Sequence, residues 1–373
     1  MLMRSRLLLS LFFSCLLTLS CRKSAPAKER SFFMGVTPWP ADFTGSELDS
    51  AYTFINEHCD LVSQHFDDGI PYEEAYKVLA FPGAMQDELN IRKSKTPPGK
   101  KILLSISALD LSRKARAGYY ARATTADSIR QRWSALPFDN AQVVIAYVNF
   151  VSRLIDFFQP GYVNYAVESN NSLWDPSAFA AYRRFLSQVY TMLKTDYPSL
   201  PMLASLMVDE SAAGFAHAQQ LLPVTDYIAL SAYPYVHVSS SAGGNTDPSL
   251  FPTGYFTRFA DLDPTKPLAI AETGYIAEDL VIPAYSLSKT GKPEWQEGYL
   301  SMLAEFCQQR QARFLIWFCH KDYDAGDNRL KSLGLYQDLF GIWEDTGLKD
   351  EAGSPRPAWF TWLQWMNRRK TGN

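Results

Sequence analysis

Cysteine and histidine are scarce in this chain of 373 residues. Its five cysteines stand at unrelated spacings, giving neither a disulfide framework nor a zinc-ligand pattern. Cys59, Cys307 and Cys319 therefore read as small buried hydrophobes. The five histidines, His58, His65, His217, His237 and His320, are scattered and form no His-x-His pair. That argues against a metal-dependent hydrolase. No G-x-S-x-G elbow is present to support a Ser-His-Asp hydrolase. The turn after the first strand-like run is Thr37-Pro38-Trp39-Pro40, not the G-x-G-x-x-G of a dinucleotide fold. Neither charge dominates. With 36 basic and 39 acidic side chains the net charge is −3, which leaves no basic footprint for a nucleic acid.

The N-terminus carries what the remainder lacks. Arg4 and Arg6 precede an almost wholly apolar run from Leu7 to Leu19, the layout of an export signal. Beyond it, no apolar run is expected to span a bilayer. Leu17-Thr18-Leu19-Ser20-Cys21 resembles the lipobox of bacterial lipoproteins. It departs from that pattern by placing Thr18 where Leu is usual. Residues 1–20 are expected to be a signal peptide, 21–30 a tether lipidated at Cys21, and 31–373 one catalytic domain. The resemblance implies a lipid-anchored protein of the cell envelope outside the cytoplasm. Ordinary secretion and an uncleaved anchor are the alternatives. A monomer is expected.

The other abundance is aromatic. With 9 Trp, 20 Tyr and 23 Phe, rings make up 14% of the chain. They either build a large core or, in part, line a cleft for a flat, partly apolar ligand such as a sugar.

Short β-rich runs alternate with longer amphipathic ones eight times. Strands are expected over 32–37, 61–66, 101–108, 162–167, 202–208, 227–233, 266–272 and 314–318. Helices are expected at 47–56, 140–158, 177–193, 215–222, around 295–306 and at 359–366. Eight parallel strands with interposed helices predict an α/β fold, a single (β/α)8 barrel. The long segments 111–139, 237–252 and 276–293 all follow strands. That elaborates the face on which such barrels place their active sites.

Two glutamates stand at strand ends. Glu168 follows Asn164-Tyr165-Ala166-Val167, and Glu272 follows Ala269-Ile270-Ala271. A carboxylate beside an apolar run is costly to bury without partners. Their strands are the fourth and the seventh. This pattern resembles glycoside hydrolase clan A, and the motifs are most similar to family 53 endo-β-1,4-galactanases. Those motifs are Ser231-Ala232-Tyr233-Pro234, Glu272-Thr273-Gly274-Tyr275 and Ile316-Trp317. The resemblance implies retaining hydrolysis of an extracytoplasmic poly- or oligosaccharide, without a cofactor or catalytic metal. Glu168 would be the acid/base, Glu272 the nucleophile, and Tyr233 its hydrogen-bond partner. Trp317, with Trp39 and Trp174, would stack on sugar.

Other residues are left with two readings. His65, Asp67 and Asp68 either face the same mouth or hold their own loop. Asn170 either reaches substrate or caps a turn. The clan carries Asn directly before its acid/base Glu, whereas this chain has Val167. That departure leaves an alternative from another class: a lipid-anchored carbohydrate-binding protein that keeps the barrel without turnover. A purely structural lipoprotein is the third reading.

Overall fold

The computed structural model describes residues 28–238 and 243–371. Eight parallel strands close into a barrel. They are β1 (Phe33–Val36), β2 (Leu61–Phe66), β3 (Lys101–Ile106), β4 (Tyr162–Ala166), β5 (Met202–Met207), β6 (Ile228–Ala232), β7 (Leu268–Thr273) and β8 (Phe314–Trp317). Hydrogen bonding runs in sequence order and β8 closes on β1. One helix of the outer ring follows each strand: α1 (Gly45–His58), α2 (Gly83–Lys95), α3 (Ala141–Phe158), α4 (Pro176–Asp196), α5 (Ala212–Leu221), the single turn α6 (Thr257–Ala260), α7 (Pro293–Gln309) and α8 (Pro357–Met366). The expected (β/α)8 architecture is the observed one.

Period-two alternation sorts each strand between two cores. Leu61, Leu103, Leu203, Ala229, Ala269, Phe314 and Ile316 fill the barrel interior. Val62, Leu104, Val163, Leu206, Leu315 and Trp317 face the helices in the larger cluster. Both layers are apolar, which explains the near-continuous hydrophobic strands. Helix α4 shows how the ring docks. Asp175 caps it by accepting from the amides of Ser177 and Ala178, Pro176 pre-sets its first turn, and Phe179, Tyr182, Leu186, Val189 and Leu193 are buried.

Four expectations change. Helix α2 adds to the expected elements; only Met85 and Leu89 anchor it inward, too few to make a periodic stripe. Helix α3 is long and apolar enough, by length and composition, to cross a membrane. Here its apolar face, including Tyr147, Val151, Leu154 and Phe158, is buried within the fold. The expected tether overlaps the folded part. Glu29–Arg30 pair in parallel with Arg369–Lys370, and buried Arg30 sits 2.6 Å from Asp60 at the start of β2. Cys21 and the signal segment lie outside the described residues. Finally, Trp317 is fully buried, with its indole N–H donating to the Thr346 carbonyl at 2.9 Å. It packs toward Tyr299 of α7 and cannot offer a face to a ligand.

Cys59, Cys307 and Cys319 are free and buried, as their spacing suggested. As a core ring, Trp317 should matter to stability. Trp317→Ala is expected to cost about 3–5 kcal/mol in urea unfolding. A loss below 1 kcal/mol would return Trp317 to the cleft.

Candidate active site

The C-terminal ends of the strands bring five ionisable side chains into one row: Glu272, His65, Asp67, Arg113 and Glu168. His65 Nδ1 lies 3.3 Å from Glu272 Oε2, and its Nε2 lies 3.6 Å from Asp67 Oδ2. Arg113 grips Asp67 with a fork, Nη1 to Oδ1 at 3.1 Å and Nη2 to Oδ2 at 2.8 Å. The Arg113 Nε then donates to Glu168 Oε2 at 2.8 Å. The outer oxygens are also engaged. Tyr233 donates its hydroxyl to Glu272 Oε1 at 2.6 Å, and Ser231 donates to Glu168 Oε1 at 2.7 Å. Side-chain exposure along the row runs from 12% to 19%, enough for contact with a ligand yet little screened by solvent.

Local irregularities aim the two glutamates. Ala269 and Ala271 face the interior, so plain alternation would turn Glu272 outward. The β6–β7 register shifts at this point, with Leu230 opposite Ile270 but Ser231 opposite Glu272. One extra residue re-aims the carboxylate inward, as a bulge does. The β4–β5 register shifts likewise between Asn164 and Ala166. Strand β4 then stops, and Glu168 lies beyond it with φ 51°, in the left-handed region. Arg113, its ion-pair partner, has φ 56°. Such a conformation costs a non-glycine residue about 1–3 kcal/mol, and it persists where the surroundings fix it. For Glu168 the fixing group is Ser205, whose Oγ accepts from the Glu168 amide at 2.9 Å. Asn164, buried in the barrel, holds Ser205 by bonds to its Oγ and its amide.

Electrostatics follow from these contacts. Burial alone would lower His65, but Asp67 and Glu272 on its two sides raise it to about 9. Burial pushes the Glu272 carboxyl up, yet the His65 and Tyr233 contacts and the Arg113 charge hold it below the usual value. Asp67 is likewise driven down, because Arg113 and His65 outweigh its burial. Tyr233 is pushed well above 10 by burial and by the Glu272 charge, so it stays a donor.

An aromatic wall flanks the row. Trp39 meets Phe318 at 5.7 Å between ring centroids, Phe318 meets Trp343 at 6.5 Å, and Trp343 meets Tyr233 at 5.9 Å. The indole N–H groups of Trp39 and Trp343 are without partners among the described residues. Gly274 makes this packing possible. A Cβ there would lie 2.5 Å from the Phe318 carbonyl oxygen and 3.2 Å from the Tyr233 ring.

Glu168, Glu272, His65, Asp67, Tyr233 and Trp39 therefore come together at the mouth. Asn170 does not. It is fully buried and bonds the Met207 and Gly214 carbonyls and the Met207 amide, tying β4 to β5. Trp174 stacks on Tyr182 in the core, and Asp68 points outward toward Arg122. Arg113, Ser231, Phe318 and Trp343 were missed. For Phe318 a signal existed: counting inward from Phe314 and Ile316 by twos reaches Phe318, not Trp317. Arg113 was one of several arginines in a long loop, and nothing local marks it.

No protein-family model and no curated protein sequence matches the chain. Solved structures do. A GH5_18 protein from Bifidobacterium longum subsp. infantis superposes with a TM-score of 0.62 at 16% identity, over 92% of this chain and 80% of that one. The likeness is one of fold, the (β/α)8 barrel. The exo-β-1,4-mannosidase Op5Man5 from Opitutaceae bacterium strain TAV5 gives a TM-score of 0.58 at 16% identity. That match covers 90% of this chain, which spans 59% of the mannosidase. Xylanase 10B from Thermotoga maritima gives 0.56 at 9% identity, over 90% of this chain and 95% of that one.

His65 is raised above its unfolded value of about 6.5. Its contribution to stability is therefore complete below pH about 6.5 and lost as pH rises through about 9. The stability difference between the wild type and His65→Asn, followed in urea from acid to alkaline pH, should be flat at low pH. It should shrink above pH about 9 to whatever packing remains. A pH-independent difference would show that His65 is neutral in the row.

Proposed function

We propose that this protein is a retaining glycoside hydrolase that cleaves β-linked sugars by a two-glutamate double displacement. The observation that carries this reading is the row joining Glu168, from the end of the fourth strand, to Glu272, on the seventh. Hydrolysis with retention needs one carboxylate as nucleophile and one carboxyl group as acid/base on either side of the scissile bond. Glu272, held ionised between Tyr233 and His65, suits attack on the anomeric carbon. Glu168 then protonates the leaving oxygen, and later takes a proton from the water that releases the glycosyl-enzyme. Arg113 keeps its fork on Asp67 throughout and lets go of Glu168 when the leaving-group sugar arrives. Trp39, Phe318 and Trp343 supply the apolar face on which a sugar ring stacks.

The substrate is proposed as a β-galactan, on the likeness of the Ser231 to Pro234 and Glu272 to Tyr275 segments to family 53 strands. β-Mannosides stand next. One neighbour is named as an exo-β-1,4-mannosidase, and a GH5_18 protein from Bifidobacterium longum subsp. longum was solved with Manβ1-4GlcNAc. With a lipid on Cys21, the enzyme would work at the cell envelope on material outside the cytoplasm.

A second reading rests on Arg113 and Val167. The guanidinium clamps the proposed acid, and Val167 removes the amide that the clan places before it. Both features suit a barrel that binds sugar without cleaving it.

The test is a panel of β-1,4-galactan, β-1,4-mannan and xylan, with NMR of the first-formed product anomer. Retention is expected, and Glu168→Gln should lower kcat by about 10²–10⁴-fold. Sugar binding with no product from any substrate, under acid to alkaline conditions, would favour the second reading. Inversion would overturn the assignment of Glu272 as nucleophile. Trp343→Ala should weaken sugar binding about tenfold, equivalent to about 1.4 kcal/mol, with little change in Tm. Unchanged affinity would remove the wall from the binding site.

A further inference from the structure

Two serines hold Glu168, one at each end. Ser205 Oγ accepts from its amide, and Ser231 Oγ donates to its carboxylate at Oε1. Ser231 is 3% exposed, out of reach of bulk water. Strand β6 fixes it from both flanks, paired with Met207 of β5 on one side and with Glu272 of β7 on the other. Its carbonyl also accepts from the Val208 amide at 2.9 Å. One barrel residue thus stands in register with Glu272 and bonds Glu168.

The two oxygens of Glu168 differ in what their donors have besides. Oε1 has Ser231, whose hydroxyl bonds no other described residue. Oε2 has Arg113 Nε at 2.8 Å. Arg113 keeps further acceptors, since both terminal nitrogens lie on Asp67 and Nη1 also reaches Ser107 Oγ at 3.1 Å. When Arg113 releases Oε2, the guanidinium stays anchored. When Oε1 stops accepting, the Ser231 proton is left buried without an acceptor, which is unfavourable. A protonated carboxyl group carries its hydrogen on one oxygen and accepts on the other. Ser231 therefore makes Oε1 the accepting oxygen.

We propose that Ser231 is a positioning residue that keeps the Glu168 proton on Oε2 and so directs it at the leaving oxygen, an inference that rests on the glycosidase reading above. In the first step the proton passes from Oε2 to the glycosidic oxygen. That oxygen keeps the electron pair of its breaking bond to the anomeric carbon, and Glu272 bonds to the same carbon. The leaving sugar departs as a neutral alcohol. Glu168 is left ionised, with Ser231 still donating to Oε1. In the second step Oε2 takes a proton from water, the water oxygen bonds the anomeric carbon, and Glu272 leaves. Oε1 carries no proton at any stage. A hydrogen bond to a carboxylate is stronger than one to a neutral carboxyl group. Ser231 thus gives its largest support as the proton departs.

The test compares kcat/KM, which reports the first step, between a leaving group that needs the proton and one that does not. The substrates are β-1,4-galactotriose and 2,4-dinitrophenyl β-galactobioside, with their β-1,4-mannose counterparts alongside. A sugar leaves poorly unless protonated, whereas dinitrophenolate leaves as a stable anion. Ser231→Ala is expected to lower kcat/KM on the trisaccharide about 10–100-fold and on the aryl glycoside less than about threefold. Ser231→Thr, which retains the hydroxyl, should recover most of the loss. If Ser231→Ala does not fold, as its Tm would show, Ser231→Cys takes its place, a weak donor of similar size with the same split expected. Equal losses on both substrates would make Ser231 a support of the barrel alone and overturn the proposal. So would unchanged kcat/KM on both. A wild type that cleaves neither series overturns the glycosidase reading itself, and this inference with it.

Discussion

Alternation of charge along the row Glu272, His65, Asp67, Arg113 and Glu168 is the constraint to which the mouth of the barrel is built. Three acids could not share so dry a space without the two bases set between them. Each base serves two acids, so loss of His65 leaves Glu272, and loss of Arg113 leaves Glu168, without its ion-pair partner in the row, and a stranded buried charge typically costs several kcal/mol. The surrounding irregularities make sense only in this light. A shifted register on β7, another on β4, and left-handed backbone at Arg113 and Glu168 are all unfavourable by themselves. Each moves a charged atom to within reach of its opposite.

The row is also unsymmetrical, and the asymmetry divides the labour. Arg113 commits both terminal nitrogens to Asp67, which fixes the plane of the guanidinium and leaves Nε as the one donor aimed at Glu168. Glu272 instead sits between a phenol and an imidazolium. The phenol stays protonated and the imidazole stays charged through neutrality, so the environment of Glu272 is constant. Glu168 accepts from Ser231 of the barrel too, but its one charged partner, Arg113, comes from a loop. The fixed carboxylate suits a nucleophile, and the conditional one suits a group that must gain and lose a proton.

Much of this was legible in the chain. Eight apolar runs at regular intervals define the barrel because parallel strands are buried on both faces and keep a continuous hydrophobic signature. Glu168 and Glu272 stood out because carboxylates ending such runs need a reason, and Tyr233 followed from the resemblance they carry. What could not be read was parity. Alternation is counted from a strand's start, and one extra residue reverses it. The bulge at Ala271 therefore puts Glu272 inside against the count, while the regular end of β8 puts Trp317 outside and Phe318 in. Asn170 misled for a related reason. An amide near a glutamate has many uses, and here it bonds three backbone groups of β5 and α5. Arg113 could not have been found, because its partners lie 46 and 55 positions away and meet it only when the barrel closes.

The pairing of Glu29–Arg30 with Arg369–Lys370 reaches beyond its two short strands. Arg30 is anchored to Asp60, at the entry to β2, so this seam lies on the floor of the barrel, opposite the mouth. Anything joined to the chain ahead of Glu29 therefore leaves from the floor. Were that segment fastened to a surface, the molecule would stand on it like a cup on a table, its opening turned outward to polymers too large to pass beneath.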